Sequence, residues 1–151
     1  MANHSLVSCA VILATGMGSR MNHPTLPKPL VPFFGKPLLE SIIADIAKSR
    51  VHRFIIVIGL RGQLIKFFGS DYQGIPLFYA TQRMQLGTAD AIASALSFIS
   101  NKDNILLALG DIIVRPSWYC YLSDRWRIRF GLEALLSVVP GNPLMGTNGF
   151  I

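Results

Sequence analysis

Ser8-Cys9-Ala10-Val11-Ile12-Leu13-Ala14-Thr15-Gly16-Met17-Gly18-Ser19-Arg20-Met21 is a largely apolar run, uncharged up to Arg20, that breaks into a glycine turn. Two more short apolar runs follow, Phe54 to Leu60 and Ile105 to Leu109. All fall well below the roughly 18 residues of a membrane-crossing helix. Their length suits strands buried on both faces of a parallel sheet. Strands are expected at Ser8–Ala14, Arg53–Gly59, Ile75–Ala80, Asn104–Leu109 and Leu132–Val138. Between them, helices are expected at Pro37–Lys48, Gly62–Phe68, Thr88–Ile99 and Pro116–Arg127. In the first helix Leu38, Ile42, Ile43 and Ile46 recur at helical spacing, and Pro37 suits a first-turn position. Ala89, Ile92, Ala93, Leu96 and Ile99 repeat the pattern in the third. Strands alternating with helices of this length imply right-handed crossovers and a mainly parallel sheet. The expected architecture is an open α/β/α sandwich of three layers.

The composition agrees. A chain of 151 residues, 51% hydrophobic and 15% charged, fits one domain (1–151) with a sizeable core. No repeat, low-complexity tract or linker interrupts it. No Lys or Arg precedes Leu6–Ala14, and the run leads into glycines, so it reads as a strand rather than an export signal. Cys9 and Cys120 form no framework and point to a reducing cytoplasm. His4, His23 and His52 lack zinc-ligand spacing. The net charge of +6 favours anionic ligands, although a basic solvated face is the simpler explanation. The chain stops at Gly149-Phe150-Ile151, where a strand is about to begin, so this end is expected to be cut rather than finished.

Glycines directly after a strand let backbone N–H groups approach phosphate oxygens, and Arg20 adds a fork of donors suited to phosphate. Two common phosphate motifs are absent. A dinucleotide fingerprint needs a small residue where Met21 stands, and a Walker A loop needs Gly-Lys-Ser/Thr, whereas Gly35-Lys36 precedes Pro37. A plain tight turn would explain the glycines alone. The next segment weighs against it. In Leu26-Pro27-Lys28-Pro29-Leu30-Val31-Pro32-Phe33-Phe34-Gly35-Lys36-Pro37-Leu38-Leu39 four prolines fix φ around two lysines, so Lys28 can be held over the mouth of a site.

The pattern G-x-G-x-R-M, a short spacer, P-K-P-L-V-P and then G-K-P-L-L resembles the sugar-1-phosphate nucleotidyltransferases. Two further blocks extend the likeness in order. Gln82-Arg83-Met84-Gln85-Leu86-Gly87-Thr88-Ala89-Asp90-Ala91 is similar to the family's base-side segment, and Ile105–Leu109 followed by Gly110-Asp111 to its metal-side strand end. Val57–Gly62 resembles the segment after the second strand.

The resemblance implies a Rossmann-like fold and a site of stated residues. Leu13, Ala14, Gly16, Gly18, Ser19 and Arg20 would wrap the triphosphate, with Arg20 and Lys28 on phosphate; Lys36 also suits a structural role. Gln82, Gly87 and Thr88 would read the base: an amide carries a donor and an acceptor, glycine permits close approach, and Thr88 can cap the following helix. Asp90 reads as a first-turn acid favoured by the helix dipole. Gly110 would adjoin the nucleotide and Asp111 would help hold Mg²⁺, at the strand end where open α/β sheets bind ligands.

The implied reaction joins a nucleoside triphosphate, UTP or dTTP, to a sugar-1-phosphate and releases pyrophosphate, with Arg20, Lys28 and Asp111 as the catalytic set. Choline phosphate, an isoprenoid precursor or a molybdopterin are alternative acceptors, and a silent nucleotide-binding module is the alternative class. Neither membrane nor nucleic acid is expected as a partner.

The sequence departs from the family pattern in places. Thr15 stands where Ala or Gly is usual, and Asn148 in Pro143–Gly149 replaces a Tyr. A second metal ligand and much of a sugar pocket are not visible. Arg115–Phe130 mixes aromatics and arginines, yet Trp118, Leu122 and Trp126 recur every fourth residue and are expected to face the core. A subunit contact, and with it a homo-oligomer, or an RNA surface is the other use of that face.

Overall fold

The computed structural model describes residues 7–16, 26–60, 62–115 and 117–128. The expected strand Leu132–Val138, the loop 143–149 and the candidate residues Gly18, Ser19 and Arg20 lie outside them. The elements are β1 (Cys9–Ala14), β2 (Pro32–Phe33), β3 (Lys36–Pro37), α1 (Leu38–Ala47), β4 (Arg53–Ile58), α2 (Gln63–Phe68), β5 (Asp71–Tyr72), β6 (Ile75–Thr81), α3 (Thr88–Ala95), β7 (Ile105–Leu109) and α4 (Trp118–Ile128). No helix among the described residues is long and apolar enough to cross a membrane.

The main sheet runs β5-β6-β4-β1-β7. β1 lies parallel to both β4 and β7, β4 is parallel to β6, and only β5 pairs antiparallel. Chain order therefore steps outward from β1 through β4 to β6, then returns to the far side of β1 as β7. The covering helices change faces with that reversal, as right-handed crossovers require. One core layer joins Ala10, Ile12 and Ile56 to α1, Leu64 of α2 and Tyr119 of α4. The other joins Cys9, Val11, Leu13 and Ile55 to Ala91 and Ala95 of α3. The fold is thus the expected mainly parallel, Rossmann-like three-layer sheet.

Every residue of β1 is buried, and all but the first of β4. Each Ile, Leu or Phe so enclosed contributes about 1.5–3 kcal/mol relative to exposure. Burial also pushes the Cys9 thiol up, so it stays protonated as a packing group. β7 departs from the expectation of burial on both faces. Leu106 and Ala108 are enclosed while Ile105 and Leu107 are 42% and 49% exposed, because α3 packs over β1, β4 and β6.

Two helix faces differ from the sequence pattern. In α3 the sheet side is Ala91 and Ala95 with Ile92 and Ile99 beside them, while Ala89, Ala93 and Leu96 are exposed. A helix with four alanines in eight residues looks apolar all round, so its phase is hidden in the sequence. In α4 the buried residues are Tyr119 and Ser123, with Trp126 packed against the core; Trp118 instead stacks on exposed Tyr121. The amphipathic tyrosine and the serine hid that stripe.

Two hairpins were also not anticipated. β2 and β3 turn through Phe34-Gly35 (φ 47° and 79°), β5 and β6 through Gln73-Gly74 (φ 50° and 85°). Tight two-residue turns need positive φ at both positions, which glycine supplies at the second.

Candidate functional site

The reversal of strand order falls between β1 and β7, and open α/β sheets bind ligands outside the C-terminal ends of strands at such a point. A cavity of about 390 Å³ opens there, within the usual range for small-molecule sites. Leu13, Ala14, Thr15 and Gly16 form its floor where β1 ends. Lys28 and Pro29 stand on one side; Gln82, Gln85, Gly87, Thr88 and Ala91 on another; Leu109, Gly110 and Asp111 close it at the end of β7. Every described candidate residue from the sequence therefore faces one cavity: Leu13, Ala14, Gly16, Lys28, Gln82, Gly87, Thr88, Gly110 and Asp111. Lys36 is not on its wall. It lies in β3, 4.0 Å from Glu40.

The proline-rich segment positions Lys28 as a strut. Pro27, Lys28, Pro29 and Leu30 form a single 3₁₀ turn, closed by Leu30 N–H on the Pro27 carbonyl (2.9 Å) and Val31 N–H on the Lys28 carbonyl (3.1 Å). Pro29 is buried beneath it. The Lys28 ammonium reaches across the cavity and donates to Asp111 Oδ2 at 2.7 Å, with the side chains 28% and 44% exposed. Cation and acid, 83 residues apart in sequence, thus meet over the same space.

Asp111 is held there by its neighbour. Gly110 N–H donates to the Leu13 carbonyl at 2.9 Å, which carries the β1–β7 ladder one residue beyond the strands. A Cβ at Gly110 would sit 2.8 Å from that carbonyl oxygen and 3.1 Å from Ala14 Cα. Both are backbone atoms that cannot step aside. A Gly110→Ala protein is expected to lose about 1–3 kcal/mol, seen as a lower urea midpoint. An unchanged midpoint would show that β7 parts from β1 without consequence.

The loop between β6 and α3 is equally constrained. Gln82 N–H donates to the Ile58 carbonyl at 2.8 Å, and Gln82 is only 2% exposed. Its amide Nε2 donates to the Gly87 carbonyl (3.1 Å) and to Asp90 Oδ2 (2.8 Å). Gly87 has φ 102°, a backbone state that side-chain-bearing residues rarely adopt, and there it begins α3. Thr88 does not cap α3 as expected: it is already inside the helix and no side-chain cap bond forms. Its place is on the cavity wall. Gln85, which the sequence reading passed over, donates from Nε2 to the Thr15 carbonyl at 3.1 Å and ties this loop to the end of β1. Its spacing from Gln82 gave no hint of that bond, which exists only through the parallel arrangement of β1, β4 and β6.

A metal here would have Asp111 as its protein ligand. Among the described residues no cluster of three acids, histidines or cysteines occurs. One half-exposed carboxylate at the cavity rim fits an ion such as Mg²⁺, which usually takes one or two carboxylates and fills its remaining positions with water and phosphate oxygens.

Known proteins resemble this chain in sequence and in fold. The "Bifunctional protein GlmU" of Acidithiobacillus ferrooxidans is 40% identical over 102 residues, covering 68% of this chain and 22% of that protein. A D-glycero-alpha-D-manno-heptose 1-phosphate guanylyltransferase of Campylobacter jejuni is 32% identical over 100 residues, 64% of this chain and 45% of that one. The chain thus spans less than half the length of these curated relatives. A UDP-glucose pyrophosphorylase complexed with UDP-glucose superimposes with a TM-score of 0.69 at 20% identity, over 81% of this chain and 54% of that one, a likeness of fold. Residues 10–140 match the family model of the MobA-like NTP transferase domain, and the chain belongs to that family.

Proposed function

We propose that this chain carries the nucleotide site of a nucleotidyltransferase that joins a nucleoside triphosphate to a sugar-1-phosphate, with UTP or dTTP as donor. The observation that carries the reading is the meeting of Lys28, Asp111, Gln82 and the Gly87-Thr88 turn around one cavity at the switch point of the sheet. A sugar-1-phosphate oxygen attacks the α-phosphorus; that P–O bond forms as the bond to the β-phosphate breaks, and pyrophosphate leaves. The attacking phosphate is already anionic, so positioning and charge supply the rate without a general base. The floor at Leu13–Gly16 brings backbone close to the phosphates. Lys28 offsets charge on the triphosphate, and the sequence adds Gly18, Ser19 and Arg20 after Gly16 as further phosphate-binding candidates. Asp111 would hold Mg²⁺, which when bound would supply charge neutralisation at the phosphates. Gln82 and Gly87 meet the base, and Thr88 lines the same wall.

Mixing the chain with Mg²⁺, UTP, dTTP, CTP or GTP and a set of sugar-1-phosphates, and following pyrophosphate, tests the proposal. Release that requires both substrates supports it. Tight nucleotide binding with no release favours a second reading, a nucleotide-binding module. That reading draws on the described residues holding no group of three or more His, Cys, Asp or Glu side chains that could bind a metal.

A further inference from the structure

The amide of Gln82 has two N–H hydrogens and one carbonyl oxygen. Both groups within reach of its nitrogen, the Gly87 carbonyl at 3.1 Å and the Asp90 carboxylate at 2.8 Å, only accept hydrogen bonds. Turning the amide over would set its oxygen against two other oxygens inside a nearly closed site, at a cost of two hydrogen bonds plus repulsion. The orientation is therefore enforced by chemistry. Both hydrogens are used, and no donor among the described residues reaches Oε1. Gln82 lines the cavity, so the group it has left to offer a ligand is an acceptor.

We infer that Asp90 is a positioning residue for base selection: it locks Gln82 as an acceptor, so the site takes nucleobases with a ring N–H, such as uracil or thymine, in preference to cytosine. The inference rests on the nucleotide site proposed above. Uracil and thymine carry an imide N3–H that Oε1 accepts. Cytosine has a bare, electron-rich N3 at the same place and would set acceptor against acceptor. Were Gln82 free to turn, it could present its N–H to cytosine and would discriminate little. Asp90 removes that freedom. Its place in the first turn of α3 keeps it fixed, since the α3 backbone is anchored at Gly87 and the carboxylate spans back to Gln82 across eight positions.

UTP and CTP differ little in shape, so their affinity ratio isolates this effect. Titration calorimetry with Mg²⁺ is expected to give at least a tenfold preference for UTP in the natural protein. In Asp90→Ala only the Gly87 carbonyl still opposes rotation of the amide, and the ratio is expected to fall to about threefold or less while overall triphosphate affinity is kept. Asp90→Asn can still present an oxygen to Nε2 and should retain most of the preference. A purely structural role for Asp90 would lower both affinities together and leave the ratio intact, and that result overturns the inference. Equal or tighter binding of CTP by the natural protein overturns it without any variant. Failure to bind either nucleotide would remove the nucleotide site itself, and the inference with it.

Discussion

Replacing Lys28 by methionine is expected to weaken nucleoside triphosphate binding about 30- to 100-fold while leaving the urea midpoint almost unchanged. Hydrogen bonds to charged groups are worth about 1.5–3 kcal/mol, and the ammonium at the cavity mouth loses all of its bonds in this variant. The partly exposed pair with Asp111 adds little to the fold, as solvated ion pairs contribute at most about 1 kcal/mol. Function and stability therefore separate. Without nucleotide, Lys28 and Asp111 neutralise one another at 2.7 Å. A triphosphate that takes the lysine frees the carboxylate for a cation, so loading one favours loading the other. Asp111→Asn should abolish the gain in affinity that Mg²⁺ gives, yet leave metal-free nucleotide bound at least as tightly as before. If Lys28→Met shifts the urea midpoint by kilocalories and leaves nucleotide affinity alone, the lysine serves the fold and the proposed site is wrong.

Asp103→Ala should do the reverse, costing about 3 kcal/mol of stability with nucleotide affinity intact. Asp103 sits at the opposite end of the strands, with its side chain only 9% exposed. It accepts from Ser100 N–H (2.7 Å), from the Ser8 hydroxyl (2.8 Å) and from the Arg53 guanidinium, clamping the starts of β1, β4 and β7 together. These donors hold its carboxyl below the usual range, the Ser100 N–H first, against an opposing push from desolvation. A lowered native pKa means that the stabilisation is whole above the ordinary carboxylate value, near 4, and fades as pH falls through the native one. Urea midpoints taken from pH 7 to 2.5 should drop more steeply below pH 4 in the natural protein than in Asp103→Asn. Parallel curves would count against the clamp.

The sequence disclosed most of the frame because its strands are unusually plain. The runs at Cys9–Ala14, Arg53–Ile58 and Ile105–Leu109 are apolar, short and bounded by turn residues, and each became a strand within one residue of the expected span. The candidate site was legible through the family resemblance that three blocks carry in order, and the residues it implied, Gly16, Lys28, Gln82, Gly87 and Asp111, all face one cavity. What stayed hidden depends on groups brought together from distant positions. Nothing near Asp103 in sequence reveals that Arg53 and Ser8 converge on it, and Asp90 looked like an ordinary dipole acid until its bond to Gln82 was seen. Helix phase failed where side chains were small or amphipathic, as in Ala91 and Ala95 of α3 and Tyr119 of α4.

The pairing of β1 with β7 has a consequence for biogenesis. Once synthesised, β1 must wait some ninety residues for its second neighbour, and until β7 docks there is no Gly110 to cross Leu13 and no Asp111 to meet Lys28. Long-range closure of this kind is slow relative to helix or hairpin formation. A ligand gripping both sides of the seam would hold the late arrival in place, so hydrogen exchange at Leu106–Gly110 should report occupancy of the cavity more sensitively than any other stretch of backbone.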